Sequence, residues 1–540
     1  MHIKLLMAVL LLALSGLACS APQQAPLPAG DASQPKAGGT FLTPSVDDPF
    51  DYDMSYSGSS NINATFIKLG YSYLMRLKTG KDIGVTTAVI EPDLATSWEV
   101  SPDASAYTFH LRKGVKFPNV APVNGRELTA ADVKWSFEYM SRTGALKDAG
   151  LPAGQFAFMF EGMQSIATPD PYTVVVKFKE GFAPFLTYAA SSDNVIMPKE
   201  IYTADGDFKQ KLIGTGPFQP DFTNSQTGSS WTLKKNPSYY QEGMPYLDAM
   251  KIFIIKDAAT QAAAFQTKQI DYIVSLDSGV ADQLRLANPN AVEYDLSTPP
   301  NLLNVNLKTP PFDNLTVRKA ISMSIDRDEG IKVLQGGKGG WSTAFSNSFA
   351  DLFTQQEIKS FVKFDQAEAR RLLQSTNLPM PIKAEMIFDP ASQGVGPAAE
   401  LLQAQLKKVG IELTLKQVTT NEATARRRAK QFETLLMTEA SRADLDSSLS
   451  LAVLPTGAFN YMSIDDPKVN QLLVAQRKEV DVAKRREILR QIVRQLNETG
   501  LAIPLWQRTQ YIFTQPHIQG WYHQADYRTI GSVWNTWINK

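Results

Sequence analysis

From about residue 40 onward, segments whose apolar residues recur at every second position alternate with segments in which they recur every three to four. That pattern predicts a mixed α and β body. Tyr107-Thr108-Phe109-His110-Leu111-Arg112 alternates as a strand, and Gly114 breaks it. Thr129-Ala130-Ala131-Asp132 offers a capping box, after which Val133, Phe137 and Met140 recur at helical spacing and predict one stripe against a core. Ile382 to Phe388 reads as a strand, Leu402, Leu406 and Val409 line one helix face, Gly410 fits a helix stop, and Ile411 to Leu415 alternates again. Strand, helix and strand within about 35 residues predict a parallel βαβ layer, and open sheets of that kind take ligands in crevices beyond their strand ends. A further long helix is predicted over about Val480 to Leu496, with Leu489, Ile492, Val493 and Leu496 as its buried stripe.

The N-terminal segment follows a different pattern. Lys4 supplies a basic start, Leu5 to Leu14 an apolar stretch, and Ser15, Gly16 and Ala18 small residues before Cys19. Together they read as an export signal over 1–18, too short to span a bilayer permanently. Residues 19–39, rich in Ala, Pro, Gln and Gly, lack hydrophobic periodicity and read as a flexible tether. Leu17-Ala18-Cys19 resembles the site at which a bacterial lipoprotein signal is cut and the cysteine acylated. Gly16 stands where such signals usually carry Leu, and the alternative is ordinary secretory cleavage near Ala18 to Ala21.

With 540 residues the chain is long enough for about three or four packing units. Its 54 basic and 54 acidic side chains balance, and the one dense basic run, Arg426, Arg427, Arg428 and Lys430, reads as a solvated helix face. Nothing here points to nucleic acid. Cys19 is the only cysteine, so the chain forms no internal disulfide, and with His2, His110, His517 and His523 as the only histidines a cysteine and histidine zinc site is excluded. No nucleophile elbow, paired-histidine zinc helix or phosphate-cradling loop is present; Gly336-Gly337-Lys338-Gly339-Gly340 has the wrong spacing for the last. The acidic pairs Asp47-Asp48 and Asp465-Asp466, each before a proline, read as capped turns. No cofactor or metal is expected; the plentiful carboxylates leave paired acid/base chemistry open, while the missing motifs argue against an enzyme.

Several motifs, in order, resemble one family. They are Pro92-Asp93-Leu94-Ala95-Thr96-Ser97-Trp98-Glu99-Val100-Ser101, continuing through the 107–117 strand and Leu128-Thr129-Ala130-Ala131-Asp132-Val133; Ile213-Gly214-Thr215-Gly216-Pro217-Phe218; Leu233-Lys234-Lys235-Asn236-Pro237-Ser238-Tyr239-Tyr240; Pro311-Phe312-Asp313-Asn314 with Val317-Arg318-Lys319-Ala320 and Ile325-Asp326-Arg327; and Gln405-Leu406-Lys407-Lys408-Val409-Gly410-Ile411-Glu412-Leu413. The chain is similar to the family 5 solute-binding proteins of bacterial ABC importers, which include oligopeptide, dipeptide and nickel binders.

That resemblance implies an α/β, two-lobed periplasmic-binding-protein-like fold (class II, large) with an extra subdomain. Lobe I would take residues 40–58, 190–297 and 505–540, the extra subdomain 59–189 and lobe II 298–504. It also implies an extracytoplasmic monomer, lipid-anchored or periplasmic, that captures a peptide or similar polar solute and serves an ABC permease and ATPase complex. In the peptide binders an aspartate on the second lobe holds the ligand's ammonium; the corresponding stretch, Met437 to Asp446, offers Asp444 first and Asp446 next, with a structural pair between Asp444 and Arg442 as the alternative. Further expected ligand contacts are Ser45, Val46 and Asp47, then Asn460 and Tyr461, and Trp506 and Gln507 on the return crossing. The rival readings are a secreted hydrolase, a tethered chaperone or sensor, and a binder of the same fold for an oligosaccharide, opine or nickel complex.

Overall fold

The computed structural model describes residues 34–57, 61–84, 88–147, 149–151, 154–298, 300–345, 352–390, 392, 394–438, 444–523 and 531–539. The expected export signal, Cys19 and most of the tether lie outside them. The first described strand, β1 (Thr40–Ser45), is followed by a departure that builds an antiparallel sheet from β2 (Ala95–Val100), β3 (Ala106–Leu111), β4 (Met163–Asp170) and β5 (Thr173–Phe178), ordered β2-β3-β5-β4. In β3 the predicted alternation holds, with Tyr107, Phe109 and Leu111 turned into the core. Helix α1 (Ala130–Ser141) starts where the capping box predicts: the Thr129 N–H donates to Asp132 Oδ2 at 2.8 Å, and Val133, Phe137 and Met140 are buried. Helix α2 (Phe185–Ala189) closes this excursion.

The chain then returns beside β1. Strands β6 (Phe218–Pro220), β7 (Ser230–Lys235) and β8 (Ala249–Ile254) give the order β1-β8-β7-β6, with β1 parallel to β8 and the other pairs antiparallel. Next come β9 (Tyr272–Ser275) and β10 (Val292–Thr298), then a second body: β11 (Asn301–Val305), α3 (Arg327–Leu334), α4 (Gln355–Phe361), β12 (Ile382–Phe388), α5 (Val395–Lys407), β13 (Ile411–Gln417), β14 (Thr434–Thr438), α6 (Leu445–Ala452), α7 (Pro467–Lys478), α8 (Val482–Glu498) and β15 (Ile503–Pro504). Its five-stranded sheet runs β13-β12-β14-β11-β15. The predicted βαβ unit is β12-α5-β13, paired in parallel from Ile382↔Ile411 to Phe388↔Gln417, with Gly410 at φ +91°, where a side chain would be strained. Helix α8 carries the predicted stripe, with Leu489, Ile492, Val493 and Leu496 buried.

The last long strand, β16 (Trp506–Thr514), runs back between β9 and β10. Strands β10 and β16 pair from Val292↔Thr514 to Thr298↔Arg508; beyond that the Leu505 N–H donates to the Asn301 carbonyl at 2.9 Å, and β11 pairs with β15 at Leu302↔Pro504. Two chain segments thus cross side by side from the β9-β16-β10 sheet to the five-stranded sheet. The flanking cores are distinct. Phe41, Phe109, Phe185 and Leu233 share one, whereas Leu303, Met386, Leu402, Leu436 and Trp506 belong to another.

Candidate functional site

In the five-stranded sheet β12 lies between β13 and β14 and is parallel to both. The connection leaving β12 through α5 leads to β13 on one side, whereas β14 sits on the other, so the chain changes direction between the carboxyl ends of β12 and β14, at Phe388 and Thr438. Open α/β sheets form ligand crevices at such a switch point, because the two loops diverge there and leave strand ends and a helix N-terminus uncovered. The first loop leads to Gly394, the N-cap of α5 at φ +77°. The second, residues 439–443, lies outside the described residues, and so does Arg442, the expected alternative partner of Asp444. Arg508 reaches this corner from the crossing strand: a Cβ on Gly394 would lie 4.0 Å from its Nη1, and burial pulls its guanidinium down to about 10.

The two α6 carboxylates are engaged by the protein itself. Asp444 caps α6, accepting from the Asp446 N–H at 2.8 Å, and pairs with Arg485 Nη2 at 3.1 Å. Asp446 is fully buried and accepts from Arg477 Nε at 2.8 Å and Ser450 Oγ at 3.1 Å, and also from Gln476 Nε2 and the Tyr188 hydroxyl. Burial alone would push its carboxyl up; the Arg477 guanidinium, its hydrogen bond and that of Tyr188 more than offset this and hold it below the usual range.

The other expected contacts divide by exposure. Past the end of β1, Val46 and Asp47 are exposed, and Ser45 Oγ donates to the Asp47 carbonyl at 3.1 Å. Asp48 is a turn brace, accepting from Trp231 Nε1 at 2.7 Å and the Gly228 N–H at 2.9 Å. Asn460 is buried and staples its own turn: Nδ2 donates to the carbonyls of Ile464 at 2.8 Å and Leu454 at 3.0 Å, and Oδ1 accepts from the Ile464 N–H at 2.8 Å. Tyr461 stacks on Phe459 at 5.8 Å, with the Arg427 guanidinium 5.4 Å from its ring. Where the sequence predicts a capped turn, Asp466 instead caps helix α7, accepting from the Val469 N–H at 2.9 Å with Pro467 in the first turn. Trp506 is 1% exposed and faces the core, while Gln507 beside it is half-buried and pairs with Gly340.

Sequence reasoning missed Arg477, Arg485, Tyr188 and Arg508. The first three gain their roles from partners tens to hundreds of residues away, a relationship with no local signature. Arg508 had a signal, a cation inside the otherwise uncharged run Gln507 to Thr514. Among the described residues no group of three or more His, Cys, Asp or Glu side chains is placed to hold a metal. His517 Nε2 lies 2.8 Å from Asp271, and burial pulls His523 down to about 4. Among the described residues no helix is long and apolar enough to cross a membrane.

Two sheet bodies joined by a paired-strand crossing, with a topological switch point in the five-stranded sheet and the separate β2-β3-β5-β4 sheet inserted on one side, define a two-lobed α/β fold. The chain belongs to the bacterial extracellular solute-binding proteins, family 5, whose model matches residues 89–460. It is 28% identical over 410 residues to the dipeptide-binding protein of Escherichia coli, covering 71% of this chain and 72% of that one. It is also 28% identical over 386 residues to heme-binding protein A of Haemophilus influenzae, covering 67% of each. The oligopeptide-binding protein AppA of Bacillus subtilis, solved with a nonapeptide, superposes with a TM-score of 0.78 at 20% identity, covering 94% of this chain and 100% of AppA. At that identity the likeness speaks for the fold. The chain is the extracytoplasmic solute-binding component of an ABC importer.

Proposed function

We propose that this protein captures a peptide, or a polar solute of similar size, between two closing lobes and hands it unchanged to a membrane permease. The observation that carries the reading is the paired crossing of β10-β11 with β15-β16, a two-strand hinge between separate cores. A ligand touching both lobes favours the closed form by its differential affinity, and the closed form is what a permease recognises. No bond is broken. The division into lobe I (40–58, 190–297, 505–540), subdomain (59–189) and lobe II (298–504) is supported by sheet membership, since each sheet described above is assembled within one of these sets apart from the crossing itself.

Peptide as the ligand class is supported by curated relatives named for dipeptides and for di- and tripeptides. The ligand lies at the carboxyl ends of β12 and β14, with Ser45, Val46 and Asp47 facing it from lobe I, and Tyr461, Gln507 and Arg508 along lobe II and the crossing. Asp444, Asp446, Asn460 and Trp506 frame that site through the bonds and packing given above. Cys19, acylated, tethers a monomeric body to the membrane and raises its effective concentration at the permease. Native mass spectrometry of the protein as purified tests this. An intact peptide or polar solute released on unfolding is the expected result; a cleaved product accumulating from an added peptide library would make the protein a hydrolase instead.

A further inference from the structure

Away from the hinge, a second set of contacts joins the bodies. The Tyr188 hydroxyl of α2 donates to Asp446 of α6; Arg477 Nη1 of α7 pairs with Glu161; the Ala183 N–H donates to the Arg477 carbonyl at 2.8 Å; Lys478 pairs with Glu180. The Arg477 guanidinium also lies 5.5 Å from the Phe182 ring. On one side stand residues 161–188, on the other residues 446–478.

We propose that this cluster is a closing joint: Asp446, held by Ser450, Gln476 and Arg477 on its own body, receives Tyr188 from the other and sets how much of the protein is closed before any ligand arrives. The inference rests on the two-lobe reading above. Among the described residues Asp446 has three donors that stay with it and one, Tyr188, that leaves when the bodies part. Asp446 and Tyr188 are both fully buried, so opening hydrates a carboxylate that is otherwise surrounded by donors and frees a hydroxyl whose ring packs against Phe158 at 5.6 Å and Phe182 at 5.9 Å. Glu161 is half exposed and adds a weaker, screened pair to the same guanidinium. Because apparent affinity scales with the competent fraction, the joint tunes uptake without touching solute.

The test is a distance measurement on protein freed of co-purifying solute by unfolding, dialysis and refolding. Spin labels go on Glu99→Cys in β2 and Val482→Cys in α8, both strongly exposed, in the full chain carrying Cys19→Ser, and double electron–electron resonance reads the separation. Tyr188→Phe removes one hydroxyl and no packing, and it is expected to shift the closed-to-open ratio roughly tenfold toward open. Glu161→Gln, at the surface and harmless to folding, is expected to shift it in the same direction by less. Unaltered distance distributions in both variants, with unaltered circular dichroism, overturn the joint. The solute reading is untouched by that result, because it stands or falls on the native mass spectrum.

Discussion

Arg327 grips the carbonyl of Pro504 with two nitrogens, Nε at 3.0 Å and Nη2 at 2.8 Å. The same guanidinium donates to the carbonyls of Leu505, Ser322 and Ile325 at 3.1 to 3.2 Å, and it is fully buried. The motif Ile325-Asp326-Arg327 therefore anchors the strand that crosses between the bodies. Lysine carries the charge but offers three donors from one point, so several buried carbonyls lose their partners at about 1–3 kcal/mol each. Arg327→Lys is expected to lower unfolding stability by about 3 kcal/mol or more, read from urea midpoints. A loss below about 1 kcal/mol would show that the anchor is dispensable.

The crossing also depends on a residue that has no side chain. A Cβ on Gly330 of α3 would lie 2.3 Å from Cε3 and Cζ3 of Trp506. Alanine in a helix interior normally gains about 1 kcal/mol over glycine, but overpacking against a rigid buried ring costs about 1–3 kcal/mol. Gly330→Ala is expected to destabilise on balance, and chemical denaturation showing a gain would mean that Trp506 can shift.

Asp444 and Arg485 separate a structural carboxylate from a ligand-binding one. Asparagine caps a helix about as well as aspartate, so Asp444→Asn isolates the ion pair. The variant is expected to lose about 1–3 kcal/mol of stability, because the largely buried Arg485 loses a charged partner and keeps, among the described residues, neutral acceptors such as Gln476 Oε1 at 3.0 Å and its attraction to Asp446. Calorimetry with an amine-bearing peptide that binds the wild type is expected to change by less than about threefold. A loss of about tenfold or more would return Asp444 to the role that the family resemblance suggests for it.

These cases show what can be read from a linear sequence. The β12-α5-β13 unit was legible because its signals are local: two alternating runs, one helical stripe and a glycine at the stop. The same holds for Thr129 with Asp132 and for the stripe on α8. By contrast, Asn460 and Trp506 look like polar and aromatic residues available to a ligand, and only tertiary contacts reveal that one braces its own turn and the other fills a core. Asp446 is the extreme case. The family resemblance suggests a ligand ammonium for it, while its donors are Ser450 of its own helix, Gln476 and Arg477 of α7, and Tyr188, 258 residues away.

Glu357 supplies a prediction in pH. At the start of α4 its Oε2 accepts from the Thr354 N–H at 2.8 Å, its own N–H donates to Thr354 Oγ1 at 3.2 Å, and Arg490 of α8 approaches Oε1 at 2.6 Å. The Thr354 backbone bond first, and then Arg490, hold its carboxyl at about 2. An unfolded glutamate titrates near about 4.3, so the folded state prefers the ionised form. That stability is fully present above the unfolded value and is lost as pH falls from about 4 toward about 2. The carboxylate is over a third exposed, so solvent screening limits the contribution to about 1 kcal/mol or less. Glu357→Gln keeps an acceptor for Thr354 but not the charge. The wild type is therefore expected to exceed the variant in urea midpoint at pH 7, with the gap narrowing steadily below pH about 4. A gap of constant size down to about pH 2.5 would assign the difference to the hydrogen bond rather than to the ion.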